Sequence, residues 1–537
     1  MGPAEQMGTE GNHRNYDTIV VGAGSSGSAL AARLADRGQQ VLLLEAGRDY
    51  MASQLPDAWR SPNPVNAIMD SSYQTFLWEG HLATRTEAQE PYLYWRGKGM
   101  GGSSTVNGQI AIRPPIEDFD EWAAVGCTGW SSGEVMADFV TLEFDDSFGE
   151  EHYHGMTGPI PVYRAPVEEW GAVDKALREA ALATGFPWAP DVNAPGATGV
   201  SPYPINSTNK QRVSCHDAYL EPRREHPGLT IQGDSLVDVV LFDRDRAIGV
   251  RLADDRVYHA DHVVLSAGAT ASPSILMRSG IGPADDLRRL GIEVRGDLPV
   301  GHGLQDHPMA LIGIPLTEAA SAGPADRHTN CCVRYSSGTV PGGNDMMMVA
   351  LNQNALAMAS GDVRAGAGAV GVFVNRTYSR GTLQLHSADP GVQPRVALNM
   401  LSDERDTDRL EAGIRLLSEL VSHPGFTQIA DGDLWRINGP LREALDTPAR
   451  LRDYLGAHVV DTQHATSTCR MGDPEAPETV VDPACTVLGF RGLRVVDASI
   501  FPSVPRANTH LACVMLGEHV AREAPPKTTT IRKDAST

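Results

Sequence analysis

The segment YDTIVVGAGSSGSALAARLADRG, residues 16–38, leaves this chain few folds to choose from. An apolar run, TIVV, meets a glycine-rich turn, GAGSSG, and the turn opens a helical stretch that Gly38 ends. A second apolar run, VLLLEAG, follows at 41–47. Strand, tight turn, helix and second buried strand make a β-α-β unit, the opening of a doubly wound sheet. Gly22, Gly24 and Gly27 fit G-x-G-x-x-G at the turn, and Glu45 ends the next strand about 20 residues on, as the dinucleotide fingerprint requires. Gly22 permits the tight turn, Gly24 lets the backbone approach a pyrophosphate, and Gly27 allows close helix–strand packing. The helix N-terminus then faces the phosphates. Glu45 can accept hydrogen bonds from both hydroxyls of an adenosine ribose, and its charge repels a 2′-phosphate. FAD and NAD both satisfy this turn.

With 537 residues the chain exceeds one compact core, so two domains or one large elaborated domain are expected. Its net charge of −22 speaks against nucleic acid, because phosphate binding needs a basic surface. No apolar run approaches the roughly 20 residues of a spanning helix, so no transmembrane segment is expected. The N-terminus, MGPAEQMGTEGNHRN, lacks the basic-then-apolar pattern of a signal peptide. The seven cysteines (127, 215, 331, 332, 469, 485 and 513) are scattered and odd in number, which suits a reducing compartment. A cytoplasmic location is therefore expected.

Farther along, 245–252 and 258–266 read as successive strands. Residues 402–422 form an amphipathic helix with Leu410, Ile414, Leu417 and Leu420 on one face. RGLRVVDASIF (491–501) is a late strand entering a loop, and LACVMLGEHVARE (511–523) a helix. The less regular 310–455 region reads as a separate antiparallel or mixed sheet layer. Tails without apolar periodicity are expected at 1–15 and 524–537.

A second glycine cluster, RGKGMGGSSTVNGQIAIR, occupies 96–113, with three glycines and two serines in the seven residues 99–105. Such a loop offers unhindered N–H groups to a cofactor's phosphates or flat ring. A third segment, GATASPSILMRSGIG, lies at 268–282. Together these three resemble the glucose–methanol–choline (GMC) flavoprotein oxidoreductases. Gly97 to Asn107 fit that family's first signature with Met100 as the one departure, and Gly268 to Gly282 fit the second at every constrained position. DFDEW (118–122), VSCHDAYLEP (213–222), VGHGLQDHP (300–308), SRGTLQL (379–385) and RVVDASIFPSVPRANTH (494–510) occur in the family's order. The resemblance spans about residues 16–523.

The resemblance implies an α/β fold: a discontinuous, Rossmann-like FAD-binding domain (16–165, 205–305 and 455–523) and an α+β substrate-binding domain (166–204 and 306–454). It implies FAD as cofactor, with Gly22, Gly24, Ser25, Ser26, Gly27, Glu45 and Ala46 at the pyrophosphate and adenosine. Gly102, Ser103, Asn107 and Gly108 fall on the flavin side, and Val237 matches a position that meets adenine through its backbone. Asp497 and Ala498 close on the ribityl chain and pyrophosphate, and Trp78 matches an aromatic near the cofactor. Some relatives attach FAD covalently through a histidine just before the signature asparagine. Val106 stands there and cannot form the bond, so FAD is expected to be noncovalent.

Two active-site positions are carried over. One is the histidine of a segment like H-x-x-G-T-C-R-M-G, here His464 in HATSTCRMG; the other, histidine or asparagine in relatives, falls on His510 in SVPRANTHLA. The implied reaction is oxidation of an alcohol to aldehyde or ketone by hydride transfer to flavin N5, with His464 as general base and His510 on the substrate oxygen. Reoxidation is by O2 or another electron acceptor. A hydroxynitrile lyase on the same fold, which keeps FAD without net redox chemistry, is the alternative. No metal is expected, because His464 and Cys469 lack a second ligand pair. His307 in Asp306-His307-Pro308 is expected to organise a loop, and Met346–Met348 to fill core. Cys331 and Cys332 are expected to point to opposite faces of a strand. Two positions mark this chain apart. Ser467 stands where relatives often have glycine, which predicts a different backbone path after His464, and Gln463 stands at the substrate cavity.

Overall fold

The β-α-β opening is present as β1 (Tyr16–Val21), α1 (Ser25–Asp36) and β2 (Val41–Leu44) in a computed structural model that describes residues 16–323, 325–354 and 367–524. Ile19, Val20 and all four residues of β2 are buried, as strands covered on both faces must be. The chain continues through β3 (Gly199–Pro202), β4 (Leu229–Gln232), β5 (Val237–Asp243), β6 (Arg246–Leu252) and β7 (Val257–Leu265). Next come β8 (Pro308–Ile314), β9 (Cys331–Tyr335), β10 (Met346–Leu351) and β11 (Gly368–Val374). Helix α2 (Glu404–Leu420), β12 (Val460–Asp461), β13 (Leu493–Val495) and α3 (Thr509–Glu523) complete the elements that build the site.

The first sheet has seven strands in the order β4-β2-β1-β7-β6-β5, with β13 also paired to β7. Its β4-β2-β1-β7 core and the β7–β13 pair are parallel, whereas β5 and β6 add antiparallel to the edge. Strand β13 comes more than two hundred residues after β7 and still completes this sheet, since Val263 pairs with Leu493 and Leu265 with Val495. Helix α3 then packs on α1 so closely that a Cβ on Gly517 would lie 2.5 Å from the Ser26 carbonyl oxygen.

The second sheet has six strands, ordered β12-β8-β11-β10-β9-β3, and is antiparallel throughout. Its alternation sorts side chains between two apolar clusters. Cys331, Val333, Met346 and Met348 join the main core with Leu410, Ile414, Leu417 and Leu420 of α2. Cys332, Met347, Val349, Met309 and Phe373 face a smaller cluster with Tyr203 and Ile110. The adjacent cysteines therefore do point apart, and the three methionines are buried core.

The pairing of β8 with β12 does most to shape the active site. Met309 opposes Val460 and Pro308 opposes Asp461, so His307 and Thr462, each one residue outside the ladder, are brought side by side. At the termini, the expected tails lie outside the described residues except for Ala524, which is buried with its carbonyl held by Arg37 Nη2 at 2.8 Å. Ser467 takes φ +72°, the left-handed conformation that a glycine favours, so a buried serine bears its strain.

These contacts set the expected cost of filling the β1–α1 turn. A Cβ on Gly27 would lie 2.0 Å from the Gly22 carbonyl oxygen, which is backbone and cannot swing away. Gly27→Ala should lower unfolding free energy by about 1–3 kcal/mol in denaturant titrations and reduce the FAD content of the purified protein.

Candidate active site

The C-terminal ends of β1 and β2 open onto a cavity of about 440 Å³. Of the residues expected at cofactor or substrate, all but Gly27 line it, and Gly27 sits behind the turn as a packing residue. Gly22 adopts φ +103°, and a Cβ there would lie 2.5 Å from the carbonyl oxygen of Ser266, just past the end of β7. Gly24 differs: a Cβ would meet nothing within 4 Å, so its peptide faces open space at the start of α1. The first turn of α1 carries no acidic residue, which leaves its positive end available to an anion. The second glycine loop lies directly on the first, with a Cβ on Gly102 2.8 Å from Gly24 Cα. These features form a cradle that fits a pyrophosphate.

Glu45 joins the loops around this cradle. Its carboxylate accepts from the backbone N–H of Ala23 at 2.9 Å, Gly47 at 2.8 Å and Gly99 at 3.0 Å. Burial pushes this carboxyl upward, against the three N–H donors and nearby Lys98. With three bonds made, about one of a carboxylate's four acceptor positions stays free for a ribose hydroxyl. Ala46 and Val237 line the cavity beside it, and Ser235, two residues before Val237, donates its N–H to the Glu45 carbonyl at 2.8 Å. Ser103 Oγ accepts from Gly97 N–H at 3.1 Å, while Asn107 Oδ1 accepts from Arg212 Nη1 at 3.1 Å and reaches the wall with Gly108. Trp78 lies under the Lys98 ammonium, 4.9 Å from the ring centroid. Asp497 accepts from Gly268 N–H at 2.9 Å and Ser272 Oγ at 2.5 Å, and the Ala498 carbonyl holds Ser467 N–H at 3.1 Å.

That last bond ties the cofactor end to the loop bearing His464. The His464 ring is buried and leans on two segments. Its Nδ1 lies 2.7 Å from Thr462 Oγ1 and 2.9 Å from His307 Nδ1. Its Nε2 lies 3.1 Å from Asn508 Nδ2, and Tyr203 donates its hydroxyl to Asn508 Oδ1 at 2.8 Å. Burial, then His307 and the Arg96 guanidinium, hold the His464 imidazole well below 6.5, so it is neutral at neutral pH.

His510 lines the cavity without a hydrogen bond to His464. Its Nδ1 bonds Ser25 Oγ at 2.9 Å, at the N-terminus of α1, and burial lowers its pKa to about 4. Helix α3 starts at Thr509, which turns His510 toward α1 and leaves Asn508, just before the helix, directed at His464. The second active-site position admits histidine or asparagine, and ANTH offers both within three residues. Only the start of the helix separates them. Thr462, His307 and Tyr203 were likewise missed as site residues, because their roles arise from pairing across the second sheet. Gln463 does line the cavity, but its amide is engaged at both ends, accepting from Arg96 Nη1 at 3.1 Å and donating to Asp461 at 2.7 Å.

Asp306, His307 and His464 bring potential metal ligands within 4.8 Å of one another. The two Nδ1 atoms stand 2.9 Å apart and point at each other. That is a hydrogen bond; two nitrogens on one tetrahedral zinc stand about 3.3 Å apart.

Comparison with known proteins identifies the family. The family models for the two parts of the GMC oxidoreductases match residues 16–309 and 377–517. The chain is 35% identical over 532 residues to 5-(hydroxymethyl)furfural oxidase of Methylovorus sp. (strain MP688), covering 94% of this chain and 98% of that one. It is 32% identical over 550 residues to an oxygen-dependent choline dehydrogenase of Stenotrophomonas maltophilia (strain K279a), covering 95% and 94%. Among solved structures, pyridoxine 4-oxidase from Mesorbium loti superposes with a TM-score of 0.82 at 27% identity, over 95% of this chain and 99% of that one. No helix among the described residues is long and apolar enough to cross a membrane. A cradle for a dinucleotide and a neutral imidazole on the wall of one cavity thus have their explanation in descent: the chain belongs to the GMC oxidoreductases and is an FAD-dependent enzyme that oxidises the CH–OH group of alcohols.

Proposed function

We propose that His464 and Asn508 form the catalytic pair and that the substrate is a primary alcohol carried on a flat ring. The observation that carries the first part is the 3.1 Å contact between His464 Nε2 and Asn508 Nδ2 on the cavity wall. A hydroxyl needs both an acceptor for its hydrogen and a donor for its oxygen, and this pair offers one of each. His464 takes the hydroxyl proton, and Asn508 holds the oxygen as it becomes a carbonyl. FAD bound along Gly22–Gly27, Glu45, Ala46, Val237, Asp497 and Ala498, with Gly102–Gly108 and Trp78 toward its ring, supplies the two-electron acceptor for the hydride the carbinol carbon loses. His510 positions Ser25 at the pyrophosphate end. Val106 lines the cavity without a nucleophile, which supports noncovalent attachment.

The substrate class rests on the wall opposite the cradle. Met309, Val349, Leu351 and Phe373 of the second sheet, with Trp95 and Tyr203, give an apolar and aromatic lining suited to a planar ring. The furfural and pyridoxine oxidases among the relatives act, by their names, on ring-bearing alcohols. A choline-like cation is disfavoured, because Arg96 is close enough to depress His464 while the cavity's Asp461 is already paired to Arg85 at 2.6 Å. Both named oxidases support O2 as the acceptor. Residues 16–165, 205–305 and 455–523 serve as the FAD-binding domain and 166–204 and 306–454 as the substrate-binding domain. The described cysteines are all unpaired thiols, which supports a reducing compartment such as the cytoplasm.

An anaerobic panel of ring-bearing alcohols should bleach the flavin absorbance, and admitting air should restore it with formation of H2O2. A lyase would leave the flavin oxidised throughout. His464→Ala should retain FAD and lose about 10²–10⁴-fold in the rate of flavin reduction, and Asn508→Ala about 10²–10³-fold. His510→Ala should instead weaken FAD binding, read by equilibrium dialysis. Because burial disfavours the charged ring, the reduction rate should stay level from about pH 8 down through 6.5 and fall only at lower pH. An acid limb centred on 6.5 or above would refute that assignment.

A further inference from the structure

A neutral imidazole carries one proton on two nitrogens, and only the bare nitrogen can accept another. For His464 the surroundings of Nδ1 decide which nitrogen that is. Thr462 Oγ1, 2.7 Å from this Nδ1, is also 3.1 Å from Asp306 Oδ1. Asp306 further accepts from Tyr94 Oη at 2.6 Å and from the His307 N–H at 2.7 Å, as an ionised carboxylate does. A carboxylate only accepts, so the Thr462 hydroxyl hydrogen goes to Asp306 and a lone pair faces His464. His307 leads to the same conclusion from the other side. Its Nε2 lies 3.1 Å from the Pro505 carbonyl oxygen, which can only accept, so the His307 proton sits on Nε2 and its Nδ1 is bare. That bare Nδ1 lies 2.9 Å from His464 Nδ1. His464 Nδ1 therefore faces two acceptors and must be the donor.

We infer that His307 is a positioning residue for the alcohol oxidation: it sets the tautomer of His464, holding the proton on Nδ1 and leaving Nε2 bare toward the cavity. Thr462, backed by Asp306, is its second support. The far side of the ring is consistent, since Nε2 meets the Asn508 amide N–H while the Tyr203 hydroxyl donates to Asn508 Oδ1. When His464 takes the substrate proton, its Nδ1–H remains on His307 and Thr462 and the imidazolium is held in place. His307 also bonds Pro505, three residues before Asn508, so one ring spaces both members of the pair. This inference rests on His464 being the base, and the two can fail separately.

The test uses FAD-loaded enzyme labelled with 15N-histidine, without substrate. Two-bond 15N–1H spectra should show His464, assigned by its loss in His464→Ala, with a protonated Nδ1 and a bare Nε2. In His307→Leu with equal FAD content, that pattern should mix with the other tautomer, and anaerobic flavin reduction should slow about 10- to 100-fold. The substrate concentration at half-saturation should change little. His307→Asn, whose Oδ1 can accept where Nδ1 did, should recover most of the rate and the wild-type tautomer. If His307→Leu fails to load FAD, the wild-type spectrum and the Asn variant decide. A proton on Nε2 in the wild type, or His307→Leu with unchanged tautomer and rate, overturns the inference. Normal reduction in His464→Ala overturns instead the assignment of the base.

Discussion

One buried carboxylate organises the cofactor end of this enzyme. Glu45 gathers backbone N–H groups from the β1 turn (Ala23), from its own loop (Gly47) and from the second glycine loop (Gly99). A buried carboxylate must be matched by donors, and here the donors come from three separate stretches of chain. The match therefore fixes those stretches relative to one another. The close approach of Gly102 to Gly24, and the open space in front of Gly24, result from that closure. An acid long associated with ribose recognition is thus equally a joint of the scaffold.

The catalytic end is held in a comparable way. Between Pro505 and Asn508 the chain is anchored at three points. His307 takes the Pro505 carbonyl, Asp118 takes the Arg506 N–H at 2.8 Å and its Nε at 2.5 Å, and Tyr203 takes Asn508. Asp118 belongs to the DFDEW segment, far from the site in sequence, and its buried ion pair with Arg506 explains its place in the architecture. Replacing either partner alone would strand a buried charge. Such anchoring suits a donor–acceptor pair whose separation must match a single hydroxyl.

Much of this was legible in the residues. The glycine spacing, the acidic residue after β2 and the apolar runs demanded a β-α-β unit, and α2 appeared where its leucine spacing placed it. His464 was legible from its segment. The proposed Asn508 was not: it stands two residues from another candidate, and the choice depends on where α3 begins and on which side each residue then faces. Thr462 and Tyr203 left no local signal and His307 read only as a loop organiser, because the three meet through the pairing of β8 with β12 and of β9 with β3. Ser467 adds a point the residues alone did not carry: the fold holds a serine at φ +72°, with its N–H on the Ala498 carbonyl.

The amino-acid sequence by itself determined the dinucleotide turn and the family and singled out His464, the proposed base, since each depends on residues close in the chain whose spacing carries the chemistry. The tertiary structure alone decided which side chains surround that histidine, and the proposed partner and tautomer rest on them. Those depend on hydrogen bonds among segments near 118, 203, 307, 462 and 505–508, and only folding brings such distant donors and acceptors to within 3 Å or so of one another.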